Sequence, residues 1–181
     1  MRKLLLLGGL VAVLLLGIGG TVAFADNDRR GSGFGARLNG WEEVPSQVTT
    51  GHGTFRASLE NAVMRYELRY SDLEGNATAA HIHIGSRHEN GGISVFLCGG
   101  AGKPACPQRS GTVEGEIRAS DVDGPAEQGV EADNLNDFLR AMRAGEAYVN
   151  VHTAVRAPGG EIRGQIFPTR GRGFGKERDD D

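Results

Sequence analysis

The sequence predicts an all-β protein: an antiparallel sandwich or barrel of about eight strands with one short covering helix. Three observations carry this. Short runs of alternating apolar and polar residues recur between clusters of Gly, Pro, Asn and Asp. A single segment has helical periodicity. In two segments, Ala79-Ala80-His81-Ile82-His83-Ile84 and Tyr148-Val149-Asn150-Val151-His152-Thr153, the alternation is strict enough to assign faces.

The first expected strand, 36–40, runs into a Glu42-Glu43-Val44-Pro45 turn. Strands 53–59 and 63–70 follow, joined by the hairpin Leu59-Glu60-Asn61-Ala62. Further strands are expected at 79–84, 93–97, 111–117, 147–152 and 161–167. A turn is expected to begin at Ser120-Asp121, with 123–132 a polar inserted loop. The helix is expected at 134–144, where Leu135, Phe138, Leu139 and Met142 form one stripe at i, i+3, i+4 and i+7. Asp133 is placed to cap its start and Gly145 to end it.

The N-terminus sets the compartment. Arg2 and Lys3, an apolar run over 4–18, and Ala23-Phe24-Ala25 read as a secretory signal peptide, residues 1–25, with cleavage after Ala25. No cysteine near that point offers a lipid anchor, so no stable membrane anchor is expected after cleavage. Segments 26–35 and 169–181 are rich in Gly and charge and are expected to be disordered, leaving a domain over 36–168. The mature chain carries 18 basic against 23 acidic residues, which gives no basic stripe for nucleic acid. The sequence therefore points to a secreted, extracellular or cell-envelope protein.

Cys98 and Cys106 flank a Gly/Pro-rich loop, and outside the cell such a pair is expected to form a disulfide. So short a loop gives roughly 2–3 kcal/mol of stabilisation, a staple for one loop.

His81 and His83 share one strand face with Ile82 and Ile84 on the other. Tyr148, Asn150 and His152 share one face of the second segment. If these strands are neighbours, His81, His83 and His152 converge on one polar surface. Three imidazoles without thiolates suit copper or zinc; the other reading of the same residues is a hydrogen-bonded polar row that sets strand register. His52, at a Gly-flanked strand start, reads first as a solvated turn residue and second as a fourth ligand. Glu161, with Tyr148 and Asn150, is placed to orient the imidazoles, because Glu161, Arg163 and Gln165 alternate with Ile162, Gly164 and Ile166 on a strand returning beside 148–152. Glu42 and Glu43 read as a solvated turn, and Trp41, the single tryptophan, as a partial core plug. No G-x-S-x-G, H-E-x-x-H, phosphate-cradling or EF-hand pattern appears, so no catalytic residue is assigned.

Four linked motifs, Leu38-Asn39-Gly40-Trp41-Glu42-Glu43-Val44-Pro45, Ala79-Ala80-His81-Ile82-His83, Ala144-Gly145-Glu146-Ala147-Tyr148-Val149-Asn150-Val151-His152-Thr153 and Pro158-Gly159-Gly160-Glu161-Ile162-Arg163-Gly164-Gln165-Ile166, make the chain resemble the chordin-type (CHRD) domain, in its secreted microbial form. The resemblance implies an extracellular, immunoglobulin-like β-sandwich of largely unassigned activity. The Cys98 to Cys106 loop and the 123–132 insertion depart from the usual pattern. The first expectation is a secreted CHRD-domain binding protein that holds copper or zinc on its histidine face. A second is a small copper/zinc oxidoreductase similar to superoxide dismutase, whose copper site also uses an H-x-H element. A third is a structural or adhesive module for an extracellular protein partner.

Overall fold

A computed structural model of the chain describes residues 33–156 and 159–169. The expected signal peptide, most of segment 26–35 and all but Thr169 of the C-terminal tail lie outside the described residues.

Nine strands form: β1 (Gly33–Asn39), β2 (His52–Glu60), β3 (Val63–Ser71), β4 (Ala77–Ile84), β5 (Ile93–Cys98), β6 (Gly111–Ile117), β7 (Ala147–Thr153), β8 (Ile162–Gln165) and β9 (Phe167–Thr169). Their pairings are antiparallel, in the order β5-β4-β7-β8-β1-β2-β3-β6, with β9 paired to β1. The sheet curls into a nearly closed Greek-key barrel. At the seam between β5 and β6 the outer edge of β5 is still satisfied: Tyr66 Oη donates to the Leu97 carbonyl at 3.0 Å and the Asp123 N–H to the Ser94 carbonyl at 2.9 Å.

The hairpin between β2 and β3 turns on Asn61 and Ala62, both at positive φ (51° and 60°), which matches the right-handed twist of the strands. The helix α1 (Leu135–Ala144) buries Leu135, Phe138, Leu139 and Met142. Asn134, not Asp133, caps it, accepting from the Asn136 and Asp137 N–H groups; Asp133 sits one residue too early. Gly145 closes the helix in the left-handed region. Single-turn 3-10 helices occupy Ala119–Asp121 and Ala126–Gln128, the latter inside the segment expected to be an irregular loop.

Two boundaries differ from expectation. β1 begins at Gly33, inside the segment expected to be disordered, because Phe34 inserts into the core (2% exposed) between partners in β2 and β9. Burying a phenyl ring offsets the ordering of its two flanking glycines. The strand expected over 161–167 is broken: β8 pairs with β7, Ile166 bonds back to Ala147, and β9 swings across to β1.

The disulfide between Cys98 and Cys106 is formed. Lys103, inside its loop, reaches Asp121 at 2.7 Å and ties the loop across the barrel seam.

The interior face of β4, β7 and β8 carries Ala80, Ile82, Val149, Val151 and Ile162, all fully buried. Their opposite face is polar and also largely buried. The Gln165 amide donates to the Gly85 and Gly145 carbonyls, and Arg163 Nη2 to the Ser86 carbonyl. This second, polar layer carries the histidines.

Candidate metal centre

β4 lies between β5 and β7, with His81 opposite Asn150, His83 opposite Tyr148 and Ala79 opposite His152. The period of two puts all three histidines on one face, and the register sets His152 diagonal to His81. Ring centroids are 4.9 Å apart for His81 and His152, 5.5 Å for His81 and His83, and 6.0 Å for His83 and His152. One nitrogen from each ring lies within 4.8 Å of the other two. A tetrahedral site with metal–nitrogen bonds of about 2.0–2.1 Å separates its ligand nitrogens by about 3.3 Å. A metal held by all three would therefore need the rings to close by about 1.5 Å at most, within the reach of side-chain rotation.

The surroundings set the protonation of two of the three rings. His83 Nδ1 lies 3.0 Å from the Gly91 carbonyl, which can only accept, so Nδ1 carries the hydrogen and Nε2 the lone pair. That Nε2 is buried and has no protein partner, and the same holds for both ring nitrogens of His81. His81 sits edge-on to Phe96 at 4.5 Å. Burial, reinforced by His152 and His83, pushes its pKa down to about 3. Burial likewise lowers His83 to about 4, although its bond to Gly91 acts the other way. Both rings are neutral imidazoles at neutral pH, the form in which histidine binds metals.

Behind them runs a stack. Tyr148 lies parallel to His83 at 4.8 Å, and Arg163 places its Cζ 3.4 Å from the centre of the Tyr148 ring on a side chain that is 1% exposed. Tyr148 Oη accepts from the Gly91 N–H, tying the same turn that orients His83. Asn150, between His81 and Arg163 in register, donates Nδ2 to both Glu43 oxygens at 2.8 and 2.9 Å. Gly160 passes directly over this amide at φ 102°; a Cβ there would lie 2.4 Å from Asn150 Oδ1, so only glycine fits.

Tyr148 and Asn150 thus lie on the histidine face as expected, but Glu161 and His52 do not. Glu161 precedes β8, in a bend where strand parity does not apply. Its carboxylate accepts from Thr49 Oγ1 (2.6 Å), the Glu74 N–H (2.7 Å), Thr153 Oγ1 (2.8 Å) and the Gly75 N–H (3.3 Å). Thr153 faces away from His152, so Glu161 braces the other side of β7. His52 is exposed, contacting the Thr50 carbonyl, Ser71 and Asp72.

Two further expectations are corrected. Glu43 is buried (3% exposed) beneath Asn150, and burial, opposed by Arg163 and the Asn150 bond, pushes its pKa up to about 8. Trp41 is 64% exposed, because the 3-10 turn Gly40–Glu42 directs it outward while Glu42 pairs with Arg87. Phe96, the Gly91 carbonyl and the burial of Arg163 escaped the sequence. Only the last left a signal, an arginine set in strand alternation opposite Asn150.

The family model of the CHRD domain matches residues 34–166. No functionally curated protein and no solved structure matches the chain. Among the described residues no helix is long and apolar enough to cross a membrane.

Proposed function

The chain belongs to the CHRD domain family, and from that premise we propose that it is a secreted, non-enzymatic binding protein that holds one copper or zinc ion on His81, His83 and His152. One observation supports this most: three imidazole ligand atoms within 4.8 Å of one another, of which those of His81 and His83 are buried without a protein partner. A buried polar group normally finds a hydrogen bond, and leaving one unmade costs about 1–3 kcal/mol. A cation that takes the lone pairs removes that cost. Tyr148 and the Gly91 carbonyl support the His83 ring, and the carbonyl sets its tautomer.

The apolar run over 4–18 and the Ala23-Phe24-Ala25 motif support export, as does the disulfide, which is stable in an oxidising compartment. The ion is held by side chains of two adjacent strands of a rigid sheet, and among the described residues no carboxylate or thiol joins the three ligand atoms.

The test is metal titration of the purified protein followed by elemental analysis. One equivalent of copper or zinc is expected, with affinity reduced at least a hundredfold in His81→Ala and His152→Ala. Absence of a stoichiometric metal, or full retention of it in both variants, would reject the assignment.

A further inference from the structure

We infer that the histidine site selects monovalent copper, Cu(I), over zinc and Cu(II), because its donors are all neutral and a buried guanidinium stands behind them. This rests on the metal-binding reading above and names the ion.

The donor set contains no anion. Among the described residues, the group of ligating side chains at this point is His81, His83 and His152, with no Asp, Glu or Cys. A zinc site with three protein ligands completes its coordination with water or substrate, and it commonly spreads the double charge onto a carboxylate or thiolate. Cu(I) carries half that charge and is satisfied by three nitrogens with no fourth ligand.

The surrounding charge acts in the same direction. Arg163 is almost fully buried, stacked on Tyr148 at 3.4 Å, and Tyr148 is stacked in turn on His83 at 4.8 Å. The guanidinium therefore sits one ring behind a ligand, and it stays protonated at any ordinary pH. Coulomb repulsion scales with the charge of the incoming ion, so the dication meets twice the penalty of the monocation. Glu43 is the carboxyl buried on this face, and it lies on the far side of Asn150, held by both oxygens. Burial pushes its pKa up, which weakens its opposition to Arg163, and Glu42, which also acts on Arg163, is itself paired with Arg87 at 3.4 Å. Phe96, edge-on to His81, adds an apolar wall that favours the less hydrated ion.

The experiment compares ions on the same protein. Cu(I) is supplied anaerobically with ascorbate, which leaves the Cys98–Cys106 bond intact, and is competed against a bicinchoninate chelator. Zinc and Cu(II) are competed against chelators of known affinity in parallel. The expected result is one equivalent of Cu(I), bound more tightly than either dication, with a Cu(II)/Cu(I) potential above that of the aqueous couple. In Arg163→Gln the preference for Cu(I) over zinc should narrow by roughly tenfold or more, the scale of one screened charge at this separation. Zinc or Cu(II) bound at least as tightly as Cu(I) overturns the selectivity and leaves the metal site standing. Failure of every ion to bind overturns both. The wild-type comparison decides the matter even if Arg163→Gln does not fold, since the potential and the affinity ratio need no variant.

Discussion

Adjacent residues of β7 open onto two polar clusters of opposite character. On one side Thr153 meets Glu161, whose carboxylate receives four hydrogen bonds and is fully buried. On the other His152 meets His81 and His83, and three buried nitrogens of that pair have no protein partner. Burial alone would raise the Glu161 pKa; the bonds from Thr49, Glu74, Thr153 and Gly75 outweigh it and hold the carboxyl below its ordinary value. At His81 and His83 nothing outweighs burial, and both rings are kept neutral. A buried polar group that is fully paired holds the fold, whereas one that keeps its lone pairs has capacity for something the chain does not itself supply.

Substitutions sharpen the contrast, beginning with the largest effect. Glu161→Ala should destabilise the fold by about 3–5 kcal/mol, because it strips a buried charge-assisted network that pins the loops around Thr49 and Glu74 to the end of β7. Chemical denaturation measures this, and metal stoichiometry of the folded fraction should not change. Equal stability of the variant would contradict the structural role given to Glu161.

Glu43 falls between the two clusters and predicts a pH dependence. Its pKa is raised from 4.5 to about 8 in the fold, so between those values the native state binds more protons than the unfolded chain. The stability contributed by this group is complete below about pH 4.5 and is lost as pH rises toward 8. Each tenfold change in proton affinity is worth about 1.4 kcal/mol, so the loss across this window amounts to a few kcal/mol. His81 and His83, with lowered pKa values, act in the opposite direction below about pH 6.5 in both proteins, so the test is the difference: in metal-free protein the stability of the parent relative to Glu43→Gln should fall as pH rises across that window. Parallel slopes would refute it.

His81→Leu should move stability least. The metal-free variant is expected to match the parent or exceed it by up to about 1 kcal/mol, since it removes two buried, unpartnered nitrogens at similar volume. A loss comparable to that of Glu161→Ala would place both clusters in the same structural class.

The strands and the helix were legible in the sequence because their signals are local: period-two alternation, a 3.6-residue stripe, and Gly or Asn at the turns. The shared face of His81 and His83 was legible for the same reason. That His152 joins them depends on β4 and β7 being neighbours, a pairing of segments some 70 residues apart, and the family motifs supported it more than any local pattern did. Glu161 was misplaced because it stands in the bend before β8, outside the alternation that does place Arg163 and Gln165 on the polar face. Glu43 gave no warning, since what buries it comes from Asn150 and Gly160, more than 100 residues away. Phe34 was hidden by the composition of its glycine- and charge-rich neighbours.

The most direct measurement is X-ray absorption on the protein loaded with one equivalent of Cu(I) or zinc. Three histidine nitrogens at about 2.0 Å from the metal, with the imidazole scattering lost stepwise in His81→Ala and His83→Ala, is the predicted result. A shell of water and carboxylate oxygens, unchanged by those substitutions, would contradict it.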